Sequence, residues 1–195
     1  MDQQTINTYN QDAKNISDLH ASLEPTKIYN LINQYFTKAL PSIDIGCGIG
    51  RDTHWLNQQG YPCVGIDASI EMLNEAQKLY PNEKFTLDKL PNLENLGTAT
   101  YDNILCSAVL MHLQIADLPI ACSRLVSSLK KEGCLILSFR KAHIEGQREN
   151  GKLYETISQN NLINLFEKFG CTIMYSGSEI ESQRNLTWHN LVVKK

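Results

Sequence analysis

After residue 40 the chain alternates short runs of apolar and β-branched residues with stretches whose apolar positions fall three and four apart. The short runs predict strands at 42–45, 63–66, 84–87, 101–109, 134–139, 171–175 and 187–193. Between them the helical period appears at 51–59, closed by Gly60, and again after Ser69, where Met72, Leu73, Ala76, Leu79 and Tyr80 share a face before Pro81. A further helix carries Leu118, Ala121, Cys122, Leu125, Val126 and Leu129. Another starts at Ser158, turns Leu162, Leu165, Phe166 and Phe169 inward and stops at Gly170.

Strands alternating with helices predict an α/β fold, a doubly wound and mostly parallel seven-stranded sheet with helices on both faces. No helix separates the last two strands, only the turn-rich stretch 176–185, so they are expected as an antiparallel hairpin at one edge. Residues 1–40 read differently: Ile28, Leu31, Ile32, Tyr35 and Phe36 mark an amphipathic helix after a more polar helix or loop. They are expected as a helical extension or lid on a main domain at 41–195.

Composition narrows the class. At 195 residues, 42% hydrophobic and 20% charged, the chain is ordinary globular material, large enough to bury a core without disulfide or metal. Net charge is −3 and no Lys/Arg block exceeds two residues, which disfavours nucleic acid as a partner. No apolar run approaches the length of a membrane span, and Met1-Asp2-Gln3-Gln4 lacks the features of a secretory leader. The six cysteines contain no C-x-x-C pair and mostly sit inside apolar runs, so no metal site is expected; free thiols fit a cytoplasmic setting.

The most informative stretch is Ile43-Asp44-Ile45-Gly46-Cys47-Gly48-Ile49-Gly50-Arg51-Asp52, a strand running through three alternate glycines into a helix. Ligands of doubly wound sheets bind at the carboxyl ends of the strands, beside the first strand, and helix N-termini there attract anions. A dinucleotide fingerprint would place its third glycine where Arg51 stands. Asp67 ends the second strand, placed to accept hydrogen bonds from both hydroxyls of a ribose, and Asp88 ends the third.

Asp44-x-Gly46-x-Gly48-x-Gly50, followed by Asp67, Asp88 and the Tyr101-Asp102 opening of strand four, resembles the class I S-adenosylmethionine-dependent methyltransferases. The resemblance extends to a bacterial methyltransferase-domain group through Gly50-Arg51-Asp52, the run from Ser107 to Leu113, Arg140 and Trp188. It implies a Rossmann-like fold and S-adenosyl-L-methionine as cofactor, with S-adenosyl-L-homocysteine as product. The turn Lys130-Lys131-Glu132-Gly133 departs from the Lys-Pro-Gly-Gly usual in the family, a change expected to alter the turn and leave the site alone.

On that basis Gly46, Cys47, Gly48 and Gly50 form the cofactor loop, with Asp44 bracing it through backbone N–H groups. Asp67 and Ala68 meet the ribose, Asp67 having a helix cap as its plainer role. Asp88, Lys89 and Leu90 meet the adenine; Ser107 borders the methionine end or merely packs there. Arg51 and Tyr9 are candidates for the cofactor carboxylate, against a salt bridge with Asp52 and a core tyrosine. For catalysis the candidates are His112, as general base or structural histidine, and Arg140 and His143, which follow strand five. Glu145 to Lys152 reads as a mobile loop over the site.

The activity expected is methyl transfer to a small-molecule acceptor. A macromolecular acceptor and a non-catalytic cofactor-binding module stay open as alternatives. A nicotinamide oxidoreductase is opposed by the glycine spacing and by the lack of a Tyr-x-x-x-Lys pair.

Overall fold

The computed structural model describes residues 1–142, 146–181 and 186–195. Its main sheet has seven strands in the order β3-β2-β1-β4-β5-β9-β8. These are β1 (Ser42–Ile45), β2 (Cys63–Asp67), β3 (Phe85–Leu87), β4 (Tyr101–Ser107), β5 (Leu129–Arg140), β8 (Thr172–Glu181) and β9 (Leu186–Lys194). The first five are parallel, and β9 runs antiparallel to both β5 and β8, giving the edge hairpin expected from the missing helix. The order reverses between β1 and β4, which opens a crevice at their carboxyl ends.

Period-2 alternation supplies both faces. From β5, Leu135, Leu137 and Phe139 face a core completed by α6 (Leu118–Ser128) and α7 (Gln159–Lys168). Cys134 and Ile136 face the opposite core, closed by α3 (Thr26–Tyr35) and α4 (Arg51–Gln58) through Ile28, Leu31, Ile32 and Leu56. Thus α3 belongs to the sheet's packing layer. Helices α1 (Gln3–Gln11) and α2 (Ala13–Ala21) lie across the crevice, with α5 (Ile70–Leu79) beneath them: Ala13 and Ile16 pack on Ile49 and Met72.

Caps explain where the helices begin. The Ser69 hydroxyl accepts from the Met72 N–H at 3.1 Å, and the Asp2 carboxylate accepts from the Thr5 N–H at 2.8 Å. All six cysteines are buried free thiols. Among the described residues no helix is long and apolar enough to cross a membrane.

Several elements differ from the sequence expectation. Strand β4 ends at Ser107, because Ala108 takes φ 60° and the chain folds into a short turn of helix at Leu110–His112. Helix α6 ends at Ser128, so Leu129 opens β5, whose irregularity at Glu132 (φ 66°) absorbs the unusual Lys-Lys-Glu-Gly sequence. The expected loop over the site is instead largely a two-stranded ribbon, β6 (Gln147–Glu149) and β7 (Lys152–Tyr154), turning at Asn150 and Gly151, both at positive φ. Ion pairs hold it: Arg148 to Asp2 at 2.9 Å and Arg140 to Glu149 at 2.5 Å. The turn-rich stretch expected at 176–185 is strand as far as Glu181, where β8 ends, and 182–185 lie outside the described residues.

Candidate functional site

A cavity of about 760 Å³ occupies the crevice, within the usual range for small-molecule sites. Its floor is the loop after β1, where Gly46, Gly48 and Gly50 all have positive φ. A β-carbon on Gly46 would collide with Val109, and one on Gly50 with Phe85, so these two glycines let neighbouring elements close in. Gly48 is different. A β-carbon there would meet only Met72 at 3.7 Å and His20 at 3.8 Å, leaving a bare backbone face toward the cavity.

Asp67 ties this loop to β2. Its two carboxylate oxygens accept from the Gly48 N–H and the Ser69 N–H, each at 2.8 Å. Burial pushes its pKa up while those N–H donors act to hold it down. An ionised carboxylate has roughly four acceptor positions, so acceptor capacity remains beside these bonds. Asp88 gathers the loop after β3, accepting from the backbone N–H groups of Lys89 at 2.8 Å, Glu94 at 3.1 Å and Asn95 at 2.9 Å. Beside it Lys89 is exposed and Leu90 buried, and Ala68 completes this end of the lining.

Two nominated loop residues lie off the cavity: neither Asp44 nor Gly50 lines it. Asp44 is 2% exposed and accepts from the Thr53 hydroxyl at 2.8 Å, so it joins β1 to α4 through a side chain instead of bonding loop N–H groups. Burial, followed by the neighbouring Asp52 charge, raises its pKa. Gly50 caps α4 in left-handed conformation. Cys47 and Arg51 do line the cavity. Arg51 is engaged, donating to Asp52 at 2.8 and 3.0 Å and to the carbonyls of His20 and Leu23 at 3.0 Å each, which fastens the end of α2 and the link to α3 onto α4.

Beyond β4 the lining changes character. The hydroxyls of Ser107 and Ser138 lie 2.8 Å apart, and Ser138 Oγ accepts from the Ala108 N–H at 3.1 Å. His112, 4% exposed, sits with Nδ1 at 2.6 Å from the Leu153 carbonyl and Nε2 at 3.4 Å from the Tyr9 hydroxyl. A carbonyl only accepts, so Nδ1 carries the proton and Nε2 presents its lone pair to Tyr9. Burial pulls the imidazole pKa down to about 4, despite the opposing pull of the Leu153 carbonyl, so His112 is neutral near pH 7. Burial likewise raises the Tyr9 phenol pKa. Tyr9 thus meets His112 on the cavity wall.

Arg140 grips Glu149 with both terminal nitrogens, at 2.7 and 2.5 Å, and its guanidinium lies 4.5 Å from the Tyr154 ring centroid. His143 falls outside the described residues. Among the lining residues that were not nominated as site residues are Ser138, Lys152, Tyr154 and Asn190. Ser138 had a visible signal, being the lone polar residue in the otherwise apolar run 134–139. Lys152 and Tyr154 had none, because the ribbon carrying them was not foreseen.

Comparison with known proteins agrees with this geometry. Residues 43–137 match the methyltransferase domain family. An uncharacterized methyltransferase of Alkaliphilus oremlandii (strain OhILAs) is 26% identical over 134 residues, which is 65% of this chain and 56% of that protein. The match thus spans little more than half the length of that curated relative.

Among solved structures, the Burkholderia thailandensis 1,6-didemethyltoxoflavin-N1-methyltransferase, with 1,6-didemethyltoxoflavin and S-adenosylhomocysteine bound, superposes with a TM-score of 0.79. It is 18% identical, and the match covers 98% of this chain and 87% of that one. An S-adenosylmethionine-dependent methyltransferase from Mesorhizobium loti gives 0.74 at 16% identity, over 86% of this chain and 97% of that one. These likenesses are of fold. Together with the domain match over residues 43–137, the reversed sheet order and the glycine loop tied to a strand-end carboxylate, they support a class I S-adenosylmethionine-dependent methyltransferase.

Proposed function

We propose that the protein transfers a methyl group from S-adenosylmethionine to a nucleophilic atom of a small molecule. The observation that carries this reading is the single cavity into which the loop after β1, Asp67, Asp88 and the Tyr9–His112 pair all face. The residues present fit the cofactor. Gly48 offers a backbone face without a β-carbon, Asp67 keeps acceptor positions for two ribose hydroxyls, and Leu90 with Ala68 gives an apolar border for a base.

When bound, the cofactor supplies a methyl group already activated by its sulfonium. The chain's own work is to position, exclude water and take a proton where the acceptor has one to lose. Thr5, Ile6 and Tyr9 of α1 border the cavity, and Asp2 and Thr5 bond to the ribbon across it through Arg148 and the Leu153 N–H. That roof supports a small acceptor over a macromolecular one. His112 Nε2 is neutral, tautomer-fixed and adjacent to the Tyr9 hydroxyl, which suits it to receive a proton directly or through that hydroxyl. The structural neighbour from Burkholderia thailandensis has a small heterocycle bound beside S-adenosylhomocysteine, which favours the same class of acceptor here.

Titration with S-adenosylmethionine, S-adenosylhomocysteine and NAD tests the cofactor: the first two bind and NAD does not. Incubating labelled S-adenosylmethionine with a metabolite extract then yields labelled small products. Binding of NAD alone, or label entering only macromolecules, overturns the proposal.

A further inference from the structure

We propose that the methyl acceptor is an anion, whose carboxylate or phosphate oxygens pair with the ammonium of Lys152. This builds on the methyltransferase reading and names the substrate class of the same cavity. Lys152 lies on β7, two residues from Tyr154 on the same face of the ribbon, and both line the cavity. Its Nζ stands 4.6 Å from the centroid of the Tyr9 ring, beside the residue that meets His112.

Three other charged side chains of the lining are already engaged. Arg140 holds Glu149 with both terminal nitrogens, Glu181 accepts from the Trp188 indole at 3.1 Å, and Glu179 accepts from Asn190 at 3.2 Å. Lys152 has no carboxylate within ion-pairing distance among the described residues, and the nearest influence of that sign is Asp12. Its stem is half-buried, and burial weakens its hold on the proton.

An aromatic face contributes about 0.5–2 kcal/mol to a nearby cation, less than a partly desolvated ammonium forfeits by leaving water without a counter-ion. A second cation, the sulfonium, enters the same cavity with the cofactor. An oxyanion at Lys152 offsets one of these positive charges at close range, which a neutral or cationic acceptor does not. Arg140 strengthens the preference: its Nε is a buried donor without a partner on this wall.

The test uses matched probe pairs on protein saturated with S-adenosylhomocysteine: benzoate against benzamide, and phenyl phosphate against phenol, by calorimetry or ligand-observed NMR. In the wild type and in Lys152→Arg at least one anion binds about tenfold or more tighter than its neutral partner, the margin of one charge-assisted contact. In Lys152→Gln the ratio falls to about one while S-adenosylhomocysteine affinity is unchanged. The pair that shows the larger ratio identifies the oxyanion as carboxylate or phosphate. Equal binding within both pairs, absence of binding by all four probes, or a preference that survives in Lys152→Gln overturns the inference. Failure of S-adenosylhomocysteine to bind at all overturns the methyltransferase reading instead.

Discussion

His112 makes a prediction that isolates one side chain. Its Nδ1 donates to the Leu153 carbonyl at 2.6 Å and it is 4% exposed, so protonating Nε2 places an uncompensated charge in the interior. The folded-state pKa of about 4 lies below the reference value of 6.5. The unfolded chain therefore binds more protons between those limits, and stability falls as pH drops through the window. Shifting one histidine from 6.5 to about 4 removes about 2 kcal/mol of stability between pH 7 and pH 5. Urea unfolding across that range measures the wild type and His112→Gln, whose amide can still donate to Leu153. Carboxylates titrate in both proteins and cancel in the difference. The wild type loses about 2 kcal/mol more than the variant over this interval. Parallel pH profiles would refute the neutral, tautomer-fixed histidine, and with it the basic Nε2 facing Tyr9.

Further consequences concern the cofactor end and the roof. Asp67→Ala weakens S-adenosylhomocysteine binding by about 1.5–3 kcal/mol, the cost of charge-assisted hydrogen bonds lost from a buried carboxylate; calorimetry showing unchanged affinity in a folded variant contradicts the ribose role. Gly48→Ala costs about 1 kcal/mol of stability because φ is 55° there, yet lowers S-adenosylhomocysteine affinity much more, since the new methyl enters the cavity; equal affinity would place the ligand elsewhere. Arg148→Ala leaves buried Asp2 without its cation and lowers stability, and hydrogen exchange rises in α1 and the β6–β7 ribbon together. Independent exchange of the two would mean the latch does not couple them.

The sheet was legible because its signals are local. Runs such as Ile104–Cys106 and Leu135–Leu137 are apolar on both faces, and Ser69, Gly60 and Gly170 punctuate the helices between them. The strand ends followed directly, and with them Gly46, Gly48, Asp67, Asp88 and Ser107 on one cavity. Asp44 could be flagged by its position but not oriented, because its partner Thr53 is chosen only when α4 packs on β1. The ribbon was missed for a different reason. Gln147–Glu149 is polar throughout, so no alternation announces a strand; what holds it are ion pairs to Arg140 and to Asp2, 146 residues away. Long-range pairs of this kind leave no period in the sequence. The same blindness hid Lys152, which acquires its position beside Tyr9 only after α1 and the ribbon meet.

A crystal structure of the protein grown with S-adenosylhomocysteine tests the central claim most directly. The ribose hydroxyls should lie about 3 Å from the Asp67 carboxylate oxygens, the amino-acid end against Gly46 and Gly48, and the sulfur facing the space between Ser107, Tyr9 and His112. A ligand bound outside this crevice, or one seated in it with Asp67 turned away from the ribose, would contradict the account.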